Sequence, residues 1–307
     1  MSTVARALGH VIFSPRSLEY FRRLGIHVVK NDYYSPIPDT YELSRRNGFW
    51  DGESELVGIN MNIASQLHLL EKVFPLYLAE CNFPKHGADL LHEYYASNTT
   101  FGVLSAIVLH CMIRHFAPKR IIEIGSGSST FVSARASLLN QEHGHTTELV
   151  VIDPYARDVF RKGFHGLSSL VRERVEDVNL DLFSQLGERD ILFVDSSHVV
   201  RIGGDINFLY LEVFPRLRKG VIIHIHDIFF PFNQPREWVI DRRRFWTEQY
   251  LLQAFLVFNR GFEVLWCESY MRHKAHGNLE PVFGEALQCD TDRGHSRGYS
   301  FWMRKVI

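Results

Sequence analysis

Between residues 118 and 306 the chain alternates two kinds of pattern. Short, continuously apolar runs predict strands buried on both faces. Longer segments with apolar residues every three or four positions predict helices. The strand-like runs are Arg120–Glu123, Glu148–Ile152, Leu170–Val175, Asp190–Val194, Gly220–His226, Phe262–Cys267 and Tyr299–Val306. Helical patterns over Ser128–Leu139, Tyr155–Gly163 and Asp205–Leu217 separate the first five, and Phe245–Phe258 follows them. Apolar strands alternating with helices predict an α/β, Rossmann-like fold, a mostly parallel sheet with helices on both faces. The polar stretch Glu268–Gly298, rich in Gly and His, separates the last two strands.

Upstream, Ser14–Leu24 predicts a capped helix that ends at Gly25. Asn31–Leu43, with two prolines and paired tyrosines, predicts an ordered extended loop. Asn60–Phe74 and Phe101–Phe116 predict helices, the second leading into the first strand. This divides the chain into a helical and loop extension, 1–100, and a sheet domain, 101–307. Tyr33 and Tyr34 either line a pocket at the open edge of the sheet or pack its flank.

In a sheet of this kind ligands bind at the carboxyl ends of the strands. Glu123, Asp153, Asp195 and Asp227 all fall at or near those ends. Glu123 opens the stretch E-I-G-S-G-S-S-T, in which Gly125, Ser126, Gly127 and Ser128 form a tight loop before a helix. Such a loop lets backbone N–H groups and a helix N-terminus approach a ligand. A dinucleotide loop needs a third glycine where Thr130 stands, and a P-loop needs a lysine that is absent. An acid at the end of the second strand, Asp153, can accept from both ribose hydroxyls.

The stretch resembles the E/D-x-G-x-G-x-G loop of class I S-adenosylmethionine (SAM) methyltransferases, with Ser129 in place of the third glycine. The resemblance covers about Phe101 to Ile307 and implies seven strands, the last antiparallel. It implies that Glu123, Gly125, Ser126, Gly127 and Ser128 hold the methionine end of SAM. Asp153 would bind the ribose, Glu176 or Asp177 would approach the adenine amino group, and Asp195 would meet the methionine amine or a metal.

Composition narrows the partners. The 307 residues are 46% apolar and 22% charged, with a formal net charge of −1, enough for a full core and too neutral for a generic nucleic-acid binder. The basic run Arg242–Arg244 reads as a solvated face or a phosphate contact. Four scattered cysteines (Cys81, Cys111, Cys267, Cys289) lack metal spacing and suggest reduced thiols in a cytoplasmic protein. No early apolar run suggests a signal peptide, and no run suggests a membrane span. Oligomeric state stays open, a homodimer included.

Two motifs carry chemistry: D-S-S-H, Asp195–His198, after the fourth strand, and H-I-H-D, His224–Asp227, ending the fifth. His224 and His226 share one face of a strand. Asp195, His226 and Asp227 can therefore converge on a divalent cation, magnesium or a transition metal. Equally, both histidines can be hydrogen-bonded strand residues. D-x-x-H followed by an H-D or E-D pair resembles the metal-dependent sugar and macrolide O-methyltransferases and a broader bacterial D-G/S-x-H group. That resemblance implies that Asp195 and Asp227 ligate a metal and that His198 is the general base, with Asp227 orienting the acceptor. His226 stands where those enzymes have an acid. The aromatic segment Ile228–Trp238 is either a lid over the substrate or a packing element. The expected reaction is methyl transfer to a hydroxyl of a small molecule or a glycan or natural-product intermediate. A metal-dependent hydrolase or lyase, or a non-catalytic SAM-binding subunit, is the alternative.

Overall fold

The computed structural model describes residues 3–87, 92–292 and 298–307. Among them, seven strands form one sheet: β1 (Arg120–Ile124), β2 (Glu148–Ile152), β3 (Ser169–Val171), β4 (Ile191–Val194), β5 (Ile222–Ile225), β6 (Phe262–Cys267) and β7 (Phe301–Lys305). Their order is β3-β2-β1-β4-β5-β7-β6. The first five are parallel, and β7 runs antiparallel between β5 and β6. The order reverses between β1 and β4, so their carboxyl ends flank the crevice where such sheets bind ligands.

Why these runs become strands follows from burial on both faces. Along β1 and β4, Ile121, Ile191 and Phe193 enter one core, and Ile122, Ile124, Leu192 and Val194 the other. Successive side chains of a strand point to opposite faces, so each run must be apolar throughout. On the first face lies the helix Val103–Phe116, buried along nearly its whole length. Its first N–H groups, on Val103 and Leu104, donate to the Asp290 carboxylate at 2.8 and 3.2 Å. That acid satisfies helix-end donors that would otherwise be orphaned.

The helical readings hold in place and differ in extent. Asp205–Leu217 is three pieces, Asp205–Phe208, a π-type turn Leu209–Val213 and Phe214–Arg216, with Pro215 in the last. Asn60–Phe74 likewise begins as Ile63–His68 and widens into a π-type turn, Leu69–Val73. Tyr155–Gly163 contracts to Asp158–Lys162, and Phe245–Phe258 to Glu248–Leu256. The third strand ends at Val171, and Val175 already lies in a 3₁₀ turn with Glu176 and Asp177. The polar stretch after β6 holds two helices, Glu268–Lys274 and His276–Asp292, whose Leu279, Phe283 and Leu287 enter the core. Residues 293–297 of that stretch, and 88–91 of the expected extension, lie outside the described residues.

The chain forms two compact units, residues 1–47 with 236–245 and residues 48–235 with 246–307. Residues 48–100 thus belong to the sheet unit, where Leu69, Leu70, Val73 and Phe74 join its core. The first unit contains the helices Thr3–Ile12, Pro15–Arg23, Thr40–Ser44 and Arg236–Ile240. Ser14 caps the second by accepting from Ser17 N, and Asp39 caps the third. No described helix is long and apolar enough to cross a membrane.

Candidate functional site

The glycine loop after β1 forms one wall of a cavity of about 690 Å³. Gly125 takes φ +89° there, and its N–H donates to Ile152 O at 2.9 Å. A side chain at this position would strike the carbonyl oxygen of Asp195. The position thus requires glycine twice over, for its left-handed φ and for the neighbouring strand end. Gly125→Ala is expected to remove ligand binding in this cavity and to lower the melting temperature by several degrees, since a loss of ~1–2 kcal/mol shifts it about that far. Thermal melts with and without SAM check both.

Ser126 ties the loop to the end of β2, its N–H and hydroxyl reaching Asp153 Oδ2 at 3.1 and 2.5 Å. The other oxygen of Asp153 accepts from Tyr155 N at 2.7 Å. Asp153, Glu176 and Asp195 all line the cavity with Gly125 and Ser126. Asp177, Gly127 and Ser128 do not. The Gly127 N–H is taken by Thr130 Oγ1 at 3.0 Å, and the Ser128 hydroxyl lies 3.1 Å from Thr100 Oγ1. Sequence reasoning missed Arg174, Arg201, Tyr155, Ser196 and Ser197, which complete the wall.

Glu123, expected as a ligand contact, sits behind the loop and is fully buried. Its Oε1 accepts from Ser129 Oγ at 2.6 Å and Thr130 Oγ1 at 2.9 Å. Burial pushes its carboxyl up to about 8, against the pull of those hydroxyls. Its place is the interior, where it pins the first turn of the helix Ser128–Glu142.

Where β4 and β5 end, three side chains meet. His198 Nε2 lies 3.1 Å from Asp195 Oδ1 and 3.5 Å from Asp227 Oδ2. One ligand atom from each of Asp195, His198 and Asp227 falls within 4.8 Å of the others. His198 and Asp227 both hold left-handed backbone, φ +57° and +59°. That conformation costs a non-glycine residue about 1–2 kcal/mol, so the surrounding loops must over-determine it. Strain of this kind gathers at functional sites.

His198 is buried and its other nitrogen, Nδ1, lies 2.8 Å from Glu248 Oε2. Burial alone would favour the neutral ring, but Asp195, Glu248 and Asp227 together outweigh it and hold the imidazole pKa well above its usual value. His198, expected as the general base, thus stands between the two carboxylates at the strand ends. Asp195 keeps a lowered pKa: burial would raise it, and the His226 and His198 charges more than offset that.

The histidines of the fifth strand divide. His224 is fully buried, stacked on Phe193 with ring centroids 4.1 Å apart, and burial drives its pKa well down. It is a neutral core aromatic. His226, expected as a metal ligand, packs against Phe101 at 4.7 Å, with its Nε2 3.9 Å from Asp227 Oδ1. The imidazole that groups with Asp195 and Asp227 is that of His198. A β-strand points residue 226 to the face of residue 224, into the aromatic packing, whereas the turn after β4 brings His198 back over the strand ends.

Ile228, Phe229 and Phe230, expected as lid or packing, are core residues. Gln249 anchors them, accepting from Phe229 N at 2.6 Å and donating to Phe232 O at 2.9 Å. Tyr33 and Tyr34 are almost fully exposed.

A seven-stranded sheet in this order, with an acid-flanked glycine loop and a polar cluster at the switch point, defines the class I methyltransferase fold, the class that draws its methyl group from SAM. Comparison with known proteins agrees: residues 122–228 match the family described as "Methyltransferase domain". An uncharacterized protein of Archaeoglobus fulgidus is 30% identical over 187 residues, which cover 59% of this chain and 82% of that protein. The chain belongs to the same family as that archaeal protein. Among solved structures it is similar to the SAH-bound methyltransferase PaMTH1 of Podospora anserina, with 19% identity, 77% of this chain and 97% of that chain covered, and a TM-score of 0.40. It is also similar to the O-methyltransferase TomG of Streptomyces achromogenes, with 15% identity, 68% and 82% covered, and a TM-score of 0.38. An O-methyltransferase of Bacillus cereus in complex with SAH has 18% identity, 80% and 98% covered, and a TM-score of 0.35.

Proposed function

We propose that this chain transfers the methyl group of SAM to a hydroxyl of a small molecule or glycan intermediate, at the Asp195–His198–Asp227 cluster. One observation carries the reading: Asp195 belongs both to the cavity wall and to the cluster. The place where a methyl donor would lie and the place where an acceptor would be activated therefore share a side chain. In the cavity, Gly125 and Ser126 would hold the methionine end, Asp153 the ribose and Glu176 the adenine edge. Transfer from a sulfonium is an in-line displacement: the oxygen–carbon bond forms as the sulfur–carbon bond breaks, and the hydroxyl proton leaves. Alignment and removal of that proton are the two requirements.

The cluster suits both. Its carboxylates are the groups that solvent and acceptor reach, Asp195 with 28% and Asp227 with 12% of the side chain exposed. They would orient the hydroxyl and accept its proton, while His198 donates to them and holds their charge in place. The donor set also fits a divalent cation, since two carboxylates and one imidazole converge. Asp195, His198 and Asp227 would hold the cation, which lowers the pKa of a hydroxyl bound to it. The test is calorimetric titration of metal-stripped protein with SAM, repeated with magnesium, manganese, iron(II), zinc and nickel. Micromolar SAM binding, strengthened by one cation, is the expected result. SAM binding indifferent to every cation would restrict the reading to the metal-free cluster, and no SAM binding would overturn it.

A further inference from the structure

Glu248 lies outside every motif that the sequence singles out, yet it makes the shortest polar contact to the cluster's imidazole. Its side chain is about 1% exposed. Oε2 lies 2.8 Å from His198 Nδ1, and Oε1 accepts from the Tyr210 hydroxyl at 3.2 Å. The same stretch grips His198 by its backbone: the N–H groups of Thr247 and Glu248 donate to His198 O at 2.8 and 3.0 Å. Trp246 covers the ring, centroid to centroid 4.6 Å. Thr247 Oγ1 accepts from Val200 N at 2.8 Å, fixing the chain just past the histidine.

We infer that Glu248 is the positioning residue of the cluster: it keeps the proton on His198 Nδ1 and sets the ring angle, so that Nε2 faces the space between Asp195 and Asp227. The function of that orientation rests on the reading of the cluster given above. The orientation itself does not. A carboxylate behind a histidine is a recurrent way to fix the tautomer and ring of a ligating imidazole, and its loss typically costs about 10–100-fold in metal affinity or activity. Tyr210 in turn holds the carboxylate, so the array runs from a buried hydroxyl to the strand ends.

The experiment uses the full chain with ¹⁵N-labelled histidine and no added cation. The imidazole N–H resonances are recorded by NMR, and those of His198 are identified by their loss in His198→Asn. In the wild type the Nδ1 proton of His198 exchanges slowly with solvent. Glu248→Met, which keeps the volume and removes the acceptor, is expected to lose that slow exchange. Glu248→Gln, whose amide oxygen still accepts, is expected to retain it. Manganese affinity, read by calorimetry, should then fall about 10–100-fold in Glu248→Met and much less in Glu248→Gln, with SAM affinity unchanged in both. A Nδ1 proton that stays protected in Glu248→Met overturns the inference. Should that variant not fold, a wild-type Nδ1 proton that exchanges freely overturns it equally. If the protection pattern is as expected but wild-type protein binds no manganese, the positioning stands and the cation reading of the cluster fails.

Discussion

Asp227→Asn is expected to lower the rate of methyl transfer by about 10²–10⁴-fold, the usual range for removing a positioned proton-transfer group, while SAM affinity stays at its wild-type value. Asparagine is the informative replacement. It tolerates the left-handed φ of +59° that residue 227 adopts, so the backbone has no reason to move. It cannot accept the proton of an acceptor hydroxyl, and it contributes no charge to the cluster. Asp227 does not line the cavity that Gly125, Asp153 and Asp195 share. Asp195→Asn should behave differently. Asp195 is in both places, so its loss should weaken SAM binding as well, by about 10–100-fold if one charge-assisted hydrogen bond of ~1.5–3 kcal/mol is lost. The pair of variants therefore separates cofactor binding from chemistry. Equal loss of SAM affinity in both would place Asp227 among the cofactor contacts and contradict its role here.

Much of this geometry was legible in the sequence. The strands were, because burial on both faces forces continuous apolar runs, and β2 and β6 match the predicted bounds residue for residue. Asp153, Asp195 and Asp227 were legible for the same reason: a charge that closes an apolar run marks where the strand ends. What the sequence hid was the direction of side chains after the strands. D-S-S-H could be seen as a motif, but nothing in its spacing shows that residue 198 turns left-handed and comes back over the sheet. His226 read as a ligand because it precedes Asp227, and the spacing did not show that its ring also packs on Phe101.

Long-range partners were the second blind spot. Glu248 is 50 residues from His198 and reads as an ordinary acid in the first turn of a helix. Asp290 caps a helix that begins 187 residues earlier. Neither pairing leaves a trace in local periodicity, because each is set by the folding of separate elements onto one edge of the sheet.

Glu123 shows the same difficulty in its sharpest form, and it yields the second large expected effect. As the acid before a glycine loop, it read as a ligand contact. In the structure it is fully buried, with hydroxyls of Ser129 and Thr130 on one oxygen and no partner on the other among the described residues. Burial is the largest influence on its carboxyl, which rises from an ordinary 4.5 to about 8, and the nearby Asp195 charge adds to the rise. An acid whose folded-state pKa is raised binds its proton more tightly in the native state than in the unfolded one. Stability from this group is therefore fully present below about pH 4.5 and is lost progressively as the pH rises through about 8. A gap of that size corresponds to a loss on the order of 5 kcal/mol. Glu123→Gln replaces the neutral carboxyl with a neutral amide of the same shape and removes the dependence. Near pH 4.5 the two proteins should differ little. By pH 8.5 the variant should be the more stable by several kcal/mol, as read from urea midpoints of both proteins at the two pH values. Stability curves that run parallel across this window would mean that Glu123 titrates normally. SAM affinity should survive the substitution, because the cavity wall belongs to Gly125, Ser126 and Asp195 and not to the acid behind them. Burial thus favours the protonated form of Glu123 in the interior, while the neighbouring histidines hold the carboxyl of Asp195, at the cavity, below its usual value.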